Sequence, residues 1–125
     1  MIDRKQLRIG NLLRVGNNPN VQKIIEVEEI RHNSVTCRWE EGMTDWEYDY
    51  KELFPIELTP EWLGKCGFKN VPIGSTGYKL NEVAIFDFND DGIYKMWNYK
   101  GEIKFVHQLQ NLYYFLTGDD LIIKQ

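Results

Sequence analysis

The chain is poor in the residues that build covalent or metal-linked frameworks, because its 125 residues include only two cysteines and two histidines. Cys37 and Cys66 lack the close spacing of zinc ligands, and two cysteines are too few for the disulfide framework of a small secreted protein. We therefore expect two reduced, buried thiols, and we predict neither a metal site nor a cofactor.

Long hydrophobic runs and a surplus of basic charge are also missing. No segment approaches the roughly 20 apolar residues that a membrane-spanning helix needs, and the opening MIDRKQLRIGNLLRVG has no apolar stretch of the signal-peptide kind. Because 15 Lys and Arg stand against 19 Asp and Glu, the formal net charge is −4, which disfavours binding to nucleic acid or to anionic membranes. We expect a cytoplasmic protein that does not bind membranes.

The first half of the chain contains a series of short β-type segments. IGNLLRVG, VQKIIEVEEI, SVTCRWE and DWEYDY are separated by turn-forming stretches such as NNPN and RHNS. In SVTCRWE, the side chains of Val35, Cys37 and Trp39 alternate with polar ones, so they share one face of a strand. The pattern predicts a small bent sheet or SH3-like β-barrel over residues 1–57.

A short helical connector is predicted where the second half, residues 58–125, begins. Thr59 offers a hydroxyl cap, and Pro60 stands at the first helical position, where its missing N–H has no consequence. Gly67 is a suitable residue for the end of this helix, because helices commonly end on a glycine with a positive φ.

The rest of the chain is expected to form strands and one amphipathic helix. YKLNEVAIFDF, IYKMWNY and EIKFV are strand-like, and DDLIIKQ is expected to return as a final strand. A stripe of apolar residues at helical spacing predicts a helix over about 107–117, closed by Gly118; its members are Leu109, Leu112, Tyr113 and Leu116. The whole chain is therefore expected to be a single α+β domain, 1–125.

His107 is a candidate for chemistry, since it lies at the start of the predicted C-terminal helix. A histidine can act as a general base or a metal ligand, but each role needs partner residues. The one enzymatic alternative pairs Cys66 as nucleophile with His107 as base, and neither residue lies in a recognised motif. We expect His107 to bond a free backbone N–H at the helix start, and we expect no enzymatic activity.

The segment DFNDDG matches the first half of a calcium-binding loop. Asp87, Asn89, Asp91 and Gly92 follow the D-x-N-x-D-G pattern, in which alternate oxygens converge on the ion. The bidentate glutamate expected at the twelfth position is replaced by Asn98, and the flanking segments resemble strands. We therefore interpret the segment as a hairpin turn, and the sequence leaves open whether its oxygens bind a cation.

Large aromatic residues are more numerous in the strand-like segments than a small core needs. Trp39, Trp46 and Tyr48 are the best candidates for contacts with a partner, because Trp and Tyr recur as anchors of protein interfaces. The acidic residues between them repel phosphate, which places nucleic acid behind protein as a partner. Core packing stays the alternative for each of the three residues.

Three phrases occur in a fixed order along the chain: LRIGNLL, LTPEWLGKCGF and VHQLQNLYYFLTGDDL. Together they resemble a group of small uncharacterised proteins encoded in prophages and mobile elements of Bacteroides and its relatives. The resemblance spans Leu7 to Leu121, although Gly64 and Cys66 replace longer or bulkier residues. It implies a bacterial or phage cytoplasmic setting, and it implies no catalytic residues.

We therefore expect a non-catalytic interaction or accessory module of a phage or mobile element. Its partner would be an unknown protein or a second copy of the chain, bound through Trp39, Trp46 and Tyr48. The alternative is a nucleic-acid-binding accessory protein, and a small cysteine-dependent enzyme ranks below both.

Overall fold

The computed structural model describes residues 2–16, 23–39, 46–71, 77–87, 91–96 and 99–124, with Trp39 described by its backbone alone. The chain divides into two units, Met1–Ile56 and Glu57–Gln125. Each unit contains an antiparallel five-stranded sheet, and the second unit also contains the α-helices described here. The predicted α+β class is confirmed; that the two units form a single domain stays a prediction.

The N-terminal sheet curls into a half-barrel. Its strand order is β4-β3-β2-β1-β5, so the last strand returns to the side of the first and leaves β4 and β5 as the edges. The strands are β1 (Leu12–Val15), β2 (Lys23–Ile30), β3 (Ser34–Trp39), β4 (Trp46–Asp49) and β5 (Leu53–Phe54), and short 3₁₀ turns span Arg4–Gln6 and Tyr50–Glu52.

One side of this sheet forms the core of the N-terminal unit. The alternation predicted for β3 is confirmed as far as Arg38, since Val35 and Cys37 are fully buried and Arg38 is exposed. The side chain of Trp39 lies outside the described part of the chain. Burying apolar surface is the main favourable contribution to folding, so this alternation fixes which face of the sheet turns inward. The cluster comprises Ile2, Leu7, Leu13, Ile25, Val27, Val35, Cys37, Tyr50 and Leu53.

The C-terminal unit consists of a meander and helices. The strand order is β10-β9-β8-β7-β6, with each strand antiparallel to its neighbour in sequence. The strands are β6 (Lys69–Val71), β7 (Gly77–Leu80), β8 (Val83–Phe86), β9 (Tyr94–Met96) and β10 (Tyr99–Ile103), and the helices are α1 (Pro60–Lys65) and α2 (Val106–Thr117). The described residues contain the α-helices α1 and α2, and neither is long and apolar enough to cross a bilayer.

Both ends of α1 follow the prediction. The hydroxyl of Thr59 accepts a hydrogen bond from the backbone N–H of Trp62 at 3.2 Å, which satisfies one of the free donors of the first turn. At the other end Gly67 has a φ of 89°, and the N–H of Phe68 donates to the carbonyl of Leu63 at 3.0 Å. This is the Schellman arrangement, so α1 begins and ends on local signals that the sequence contains.

Helix α2 ends as predicted, but the final strand does not form. Gly118 adopts a φ of 78° and donates its N–H to the carbonyl of Tyr114 at 2.8 Å. The segment 120–124 is irregular, so the strand predicted for DDLIIKQ is wrong. Its Lys124 N–H donates instead to the carbonyl of Lys65 at 2.9 Å, one of the last carbonyls of α1 that a helix leaves free.

Candidate functional site

The edge strand β4 carries two of the predicted contact residues, Trp46 and Tyr48. Trp46 is 54% exposed, while Tyr48 is half-buried and packs against the core of the N-terminal unit. Strand β4 pairs with β3 over four successive positions without a register shift, and it pairs with no second strand among those that the structure describes. We call the backbone of Trp46–Asp49 on the side away from β3 the β4 edge.

On the core-facing side of β4, the exposure of the side chains rises toward the first residue of the strand. Trp46 lies opposite Cys37 and Tyr48 lies opposite Val35 in the register, so both are on the core-facing side of the sheet. The next residue on this side, Tyr50, is only 8% exposed, and its hydroxyl donates to the carbonyl of Arg31 at 2.7 Å. The first residue of β4 therefore lies outside the region that packs on the core, and the Trp46 side chain is accessible.

The third predicted contact residue, Trp39, lies at the end of β3. Its backbone is opposite Ile25 of β2, and its side chain is outside the described part of the chain. The pairing of the backbones therefore places Trp39 on β3, the strand next to the one that contains Trp46.

The opposite side of β4 is acidic. Glu47 and Asp49 are exposed, and Glu47 makes an ion pair with Arg31 at 3.5 Å in which both side chains are more than half exposed. Exposed pairs of this kind are screened by water and salt and contribute little to stability. The acidic side of β4 is thus available to an incoming positive charge.

The edges of the C-terminal sheet are less suited to binding. Strand β6 has three residues and begins with an exposed Lys69, a common means of blocking strand addition. In β10 the register shifts between Tyr99 and Ile103. The ring of Tyr99 also lies over Gly101, since a Cβ added at that glycine would be 2.6 Å from a ring carbon. Of the edge strands β4, β6 and β10, β4 alone combines pairing without a register shift with an aromatic side chain, that of Trp46, that is more than half exposed.

Both cysteines are buried thiols, as the sequence predicts. Cys37 and Cys66 are at most 2% exposed, and burial raises the pKa of each thiol to about 12. Because the thiolate is the reactive form of cysteine, this environment opposes a nucleophilic role at neutral pH.

His107 is buried inside the C-terminal unit, and the role predicted for it at the helix start is wrong. Neither ring nitrogen has a hydrogen-bond partner among the described residues, so the hypothetical bond to Cys66 is not made. Instead, the side chain of Gln108 accepts from the N–H of Lys104 at 2.8 Å and from that of Phe105 at 3.1 Å. Helix α2 begins at Val106, so His107 lies in its first turn, where its side chain is buried.

The acidic turn after β8 uses its first carboxylate to hold the backbone. Asp87 is 5% exposed and accepts hydrogen bonds from the N–H groups of Asp91 at 3.2 Å and Gly92 at 2.9 Å. Asn89 and Asn98 lie outside the described residues. Within the described ranges, no group of three or more His, Cys, Asp or Glu residues is placed to hold a metal ion.

Sequence reasoning missed a cleft in the C-terminal unit. Its walls come from separate stretches of the chain around Glu57, Tyr78, Asp87, Tyr94 and Phe105. Individual glutamates, aspartates and tyrosines carry no spacing signal, so only the fold shows that they lie around one space.

Comparison with known proteins gives no family for the chain. No family model matches it, and no curated protein or solved structure is significantly similar to it.

Proposed function

We propose that the protein is a non-catalytic interaction module that binds a protein partner by strand addition at the β4 edge. The observation that carries the proposal is the 54% exposure of Trp46 on a regularly paired edge strand. The bound segment would be an extended stretch of another protein or of a second copy of the chain.

The backbone of β4 provides the affinity in this mode of binding. An edge strand presents N–H and C=O groups that an extended segment completes with a further row of hydrogen bonds. Side chains opposite one another on adjacent strands are about 5 Å apart, so Trp46 and Tyr48 would contact the segment on one side and Glu47 and Asp49 on the other. The favoured partner segment alternates apolar residues with Lys or Arg.

Trp46 supplies the main apolar contact. A tryptophan buries about 150–250 Å² when fully covered, so covering the exposed half of this ring would remove about 100 Å² from water. At about 25 cal/mol per Å² this contributes about 2–3 kcal/mol, which is the size of effect that marks an interface hot spot.

The environment of the possible nucleophiles supports a non-catalytic role. A thiol with a pKa of about 12, as burial gives Cys66, holds only about one thiolate in 10⁵ molecules at neutral pH. The resemblance to proteins of prophages and mobile elements supports a bacterial cytoplasmic setting, in which the partner would be a host or phage protein.

The proposal is tested by comparing what the wild-type protein and two variants capture from a Bacteroides lysate. We expect the wild-type protein to enrich a partner, Trp46→Ala to lose at least about nine tenths of it, and Phe115→Ala to retain it. Phe115 is a matched control, because it is an aromatic residue that is 83% exposed in the other unit. Sedimentation equilibrium of the same proteins distinguishes a second copy from a foreign partner. Equal capture by all three proteins, together with a monomer at every concentration, would contradict the proposal.

A further inference from the structure

The cleft of the C-terminal unit has a volume of about 460 Å³, which lies within the range of small-molecule sites. Its lining combines three carboxylate residues, Glu57, Asp87 and Asp91, with the aromatic rings of Tyr78 and Phe105. Tyr78 is further positioned by an edge-on contact with Tyr94, whose ring centroid is 6.2 Å away.

The charges around the cleft are unbalanced. Among the described residues of the lining, Lys104 is the one cation, so the three carboxylates leave a formal charge of −2. The Lys104 ammonium also lies 3.7 Å from the carboxylate of Glu102, so Lys104 is shared between the acids of the lining and a neighbouring acid. A group that enters the cleft therefore meets net negative charge, and an anion would be repelled.

One carboxylate of the lining, that of Asp87, is held in place. Asp87 is 5% exposed and accepts two backbone N–H bonds from the turn that follows it, at 3.2 and 2.9 Å. Each carboxylate oxygen can accept more than one hydrogen bond. A site whose charged group is already fixed loses little conformational freedom on binding.

From this lining we infer that the cleft binds an organic cation, a guanidinium or an alkylammonium group. The faces of aromatic rings attract cations, most strongly where water is excluded, and carboxylates pair with guanidinium through parallel hydrogen bonds. An apolar molecule would cover the carboxylates of Glu57 and Asp91 without offering either of them a counter-charge. The inference is independent of the β4 edge, which belongs to the other unit.

The inference is tested by nuclear magnetic resonance titration of the full chain with N-acetyl-arginine N-methylamide. We expect saturable shifts of the backbone amides of Asp91, Gly92 and Lys104, and none with the corresponding citrulline compound, which has the same shape without the charge. Shifts that are absent with the arginine probe, or equal with the citrulline probe, would overturn the inference.

Variants check that the carboxylates are responsible. The double variant Glu57→Gln, Asp91→Asn should weaken binding of the arginine probe about tenfold, because both exposed charges are removed. The amide introduced by Asp91→Asn still offers an oxygen to the N–H of Ile93, from which the Asp91 carboxylate accepts at 3.1 Å. Glu82→Gln, at an exposed position of the β7–β8 turn, is the matched control and should bind as the wild type does. Unchanged affinity in the double variant would contradict the inference.

Further probes distinguish a free small molecule from a protein side chain as the source of the cation. Agmatine represents a free small molecule, and a Gly-Ser octapeptide with one central arginine represents a protein side chain. Tighter binding of the peptide than of agmatine indicates a protein source, and the reverse order indicates a metabolite. If neither agmatine nor the peptide shifts the cleft amides, the inference is wrong.

Discussion

His107 contains two buried ring nitrogens that lack a hydrogen-bond partner among the described residues. The ring is stacked on Phe105, with the centroids 6.0 Å apart and the planes inclined by 10°, and burial lowers the pKa of His107 to about 4. The position near the positive end of α2 also disfavours an added positive charge. The fold therefore requires the neutral imidazole.

This requirement predicts that acid destabilises the protein through His107. The unfolded chain binds a proton at a pKa near 6.5, whereas the folded chain binds it only near 4. The contribution of the neutral ring to the free energy of unfolding is therefore fully present above pH 6.5. It is lost as the pH falls toward 4, and the loss is at most about 3 kcal/mol. Urea unfolding followed by circular dichroism across this range measures the slope of the free energy of unfolding against pH.

A pair of variants isolates the effect from the titration of carboxylates. His107→Leu should flatten the slope and raise the free energy of unfolding at pH 7 by about 1 kcal/mol, since it removes unsatisfied polar atoms. His32→Gln changes the exposed histidine and should keep the wild-type slope. An unchanged slope in His107→Leu would show that the buried ring does not control acid stability.

The thiols provide a second prediction at the residue scale. Cys37 and Cys66 are buried, and burial raises the pKa of each to about 12. We therefore expect iodoacetamide at pH 7 to modify neither thiol in the folded protein and both in denaturant, as measured by mass spectrometry. Rapid alkylation of folded Cys66 that is lost in His107→Ala would instead support the cysteine-dependent enzyme.

At the scale of elements, local sequence signals were sufficient to predict the ends of the helices but not the structure of the segment that follows α2. The cap at Thr59 and the glycines 67 and 118 have their effect within one turn of helix, so the sequence alone predicts where the helices begin or end. The segment DDLIIKQ has strand composition, but strand formation depends on a neighbour to pair with. Its residue Lys124 bonds to α1 instead.

Two glycines near the end of α1 test the origin of its termination. Gly67 has a φ of 89°, and an added Cβ would meet only an ordinary contact at 3.7 Å, so Gly67→Ala should lower the free energy of unfolding by about 1 kcal/mol through backbone strain alone. Gly64 lies inside the helix with open space around it, so Gly64→Ala should raise it by about 0.5–1 kcal/mol. Thermal unfolding of both variants measures the difference, and destabilisation by both would contradict this account.

At the scale of the whole molecule, the sequence predicted the α+β class and the bent N-terminal sheet, because alternation and turn residues recur along the chain. It did not determine whether the strand aromatics are buried. Tyr50, Tyr48 and Trp46 alternate identically in sequence, yet their exposure rises from 8% to 54% along that series. That gradient depends on where β4 extends beyond the core, which no local pattern records.

The acidic character of the chain leads to a prediction about nucleic acid. A formal charge of −4 and the exposed Glu47 and Asp49 beside Trp46 repel phosphate. Fluorescence anisotropy with mixed single-stranded oligonucleotides should therefore show no binding at physiological salt. Micromolar or tighter binding that weakens steeply with added salt would favour the nucleic-acid-binding alternative.

The most direct test of binding at the β4 edge is photocrosslinking with benzoylphenylalanine at position 47, in the lysate from which the wild-type protein captures its partner. Glu47 and Glu102 are both in exposed ion pairs on edge strands, so the same substitution at position 102 is a matched control. We predict a discrete adduct from position 47, its loss when Trp46→Ala is added, and no adduct from position 102. The absence of an adduct at position 47, its persistence after Trp46→Ala, or the same adduct from position 102 would contradict the proposed interaction surface.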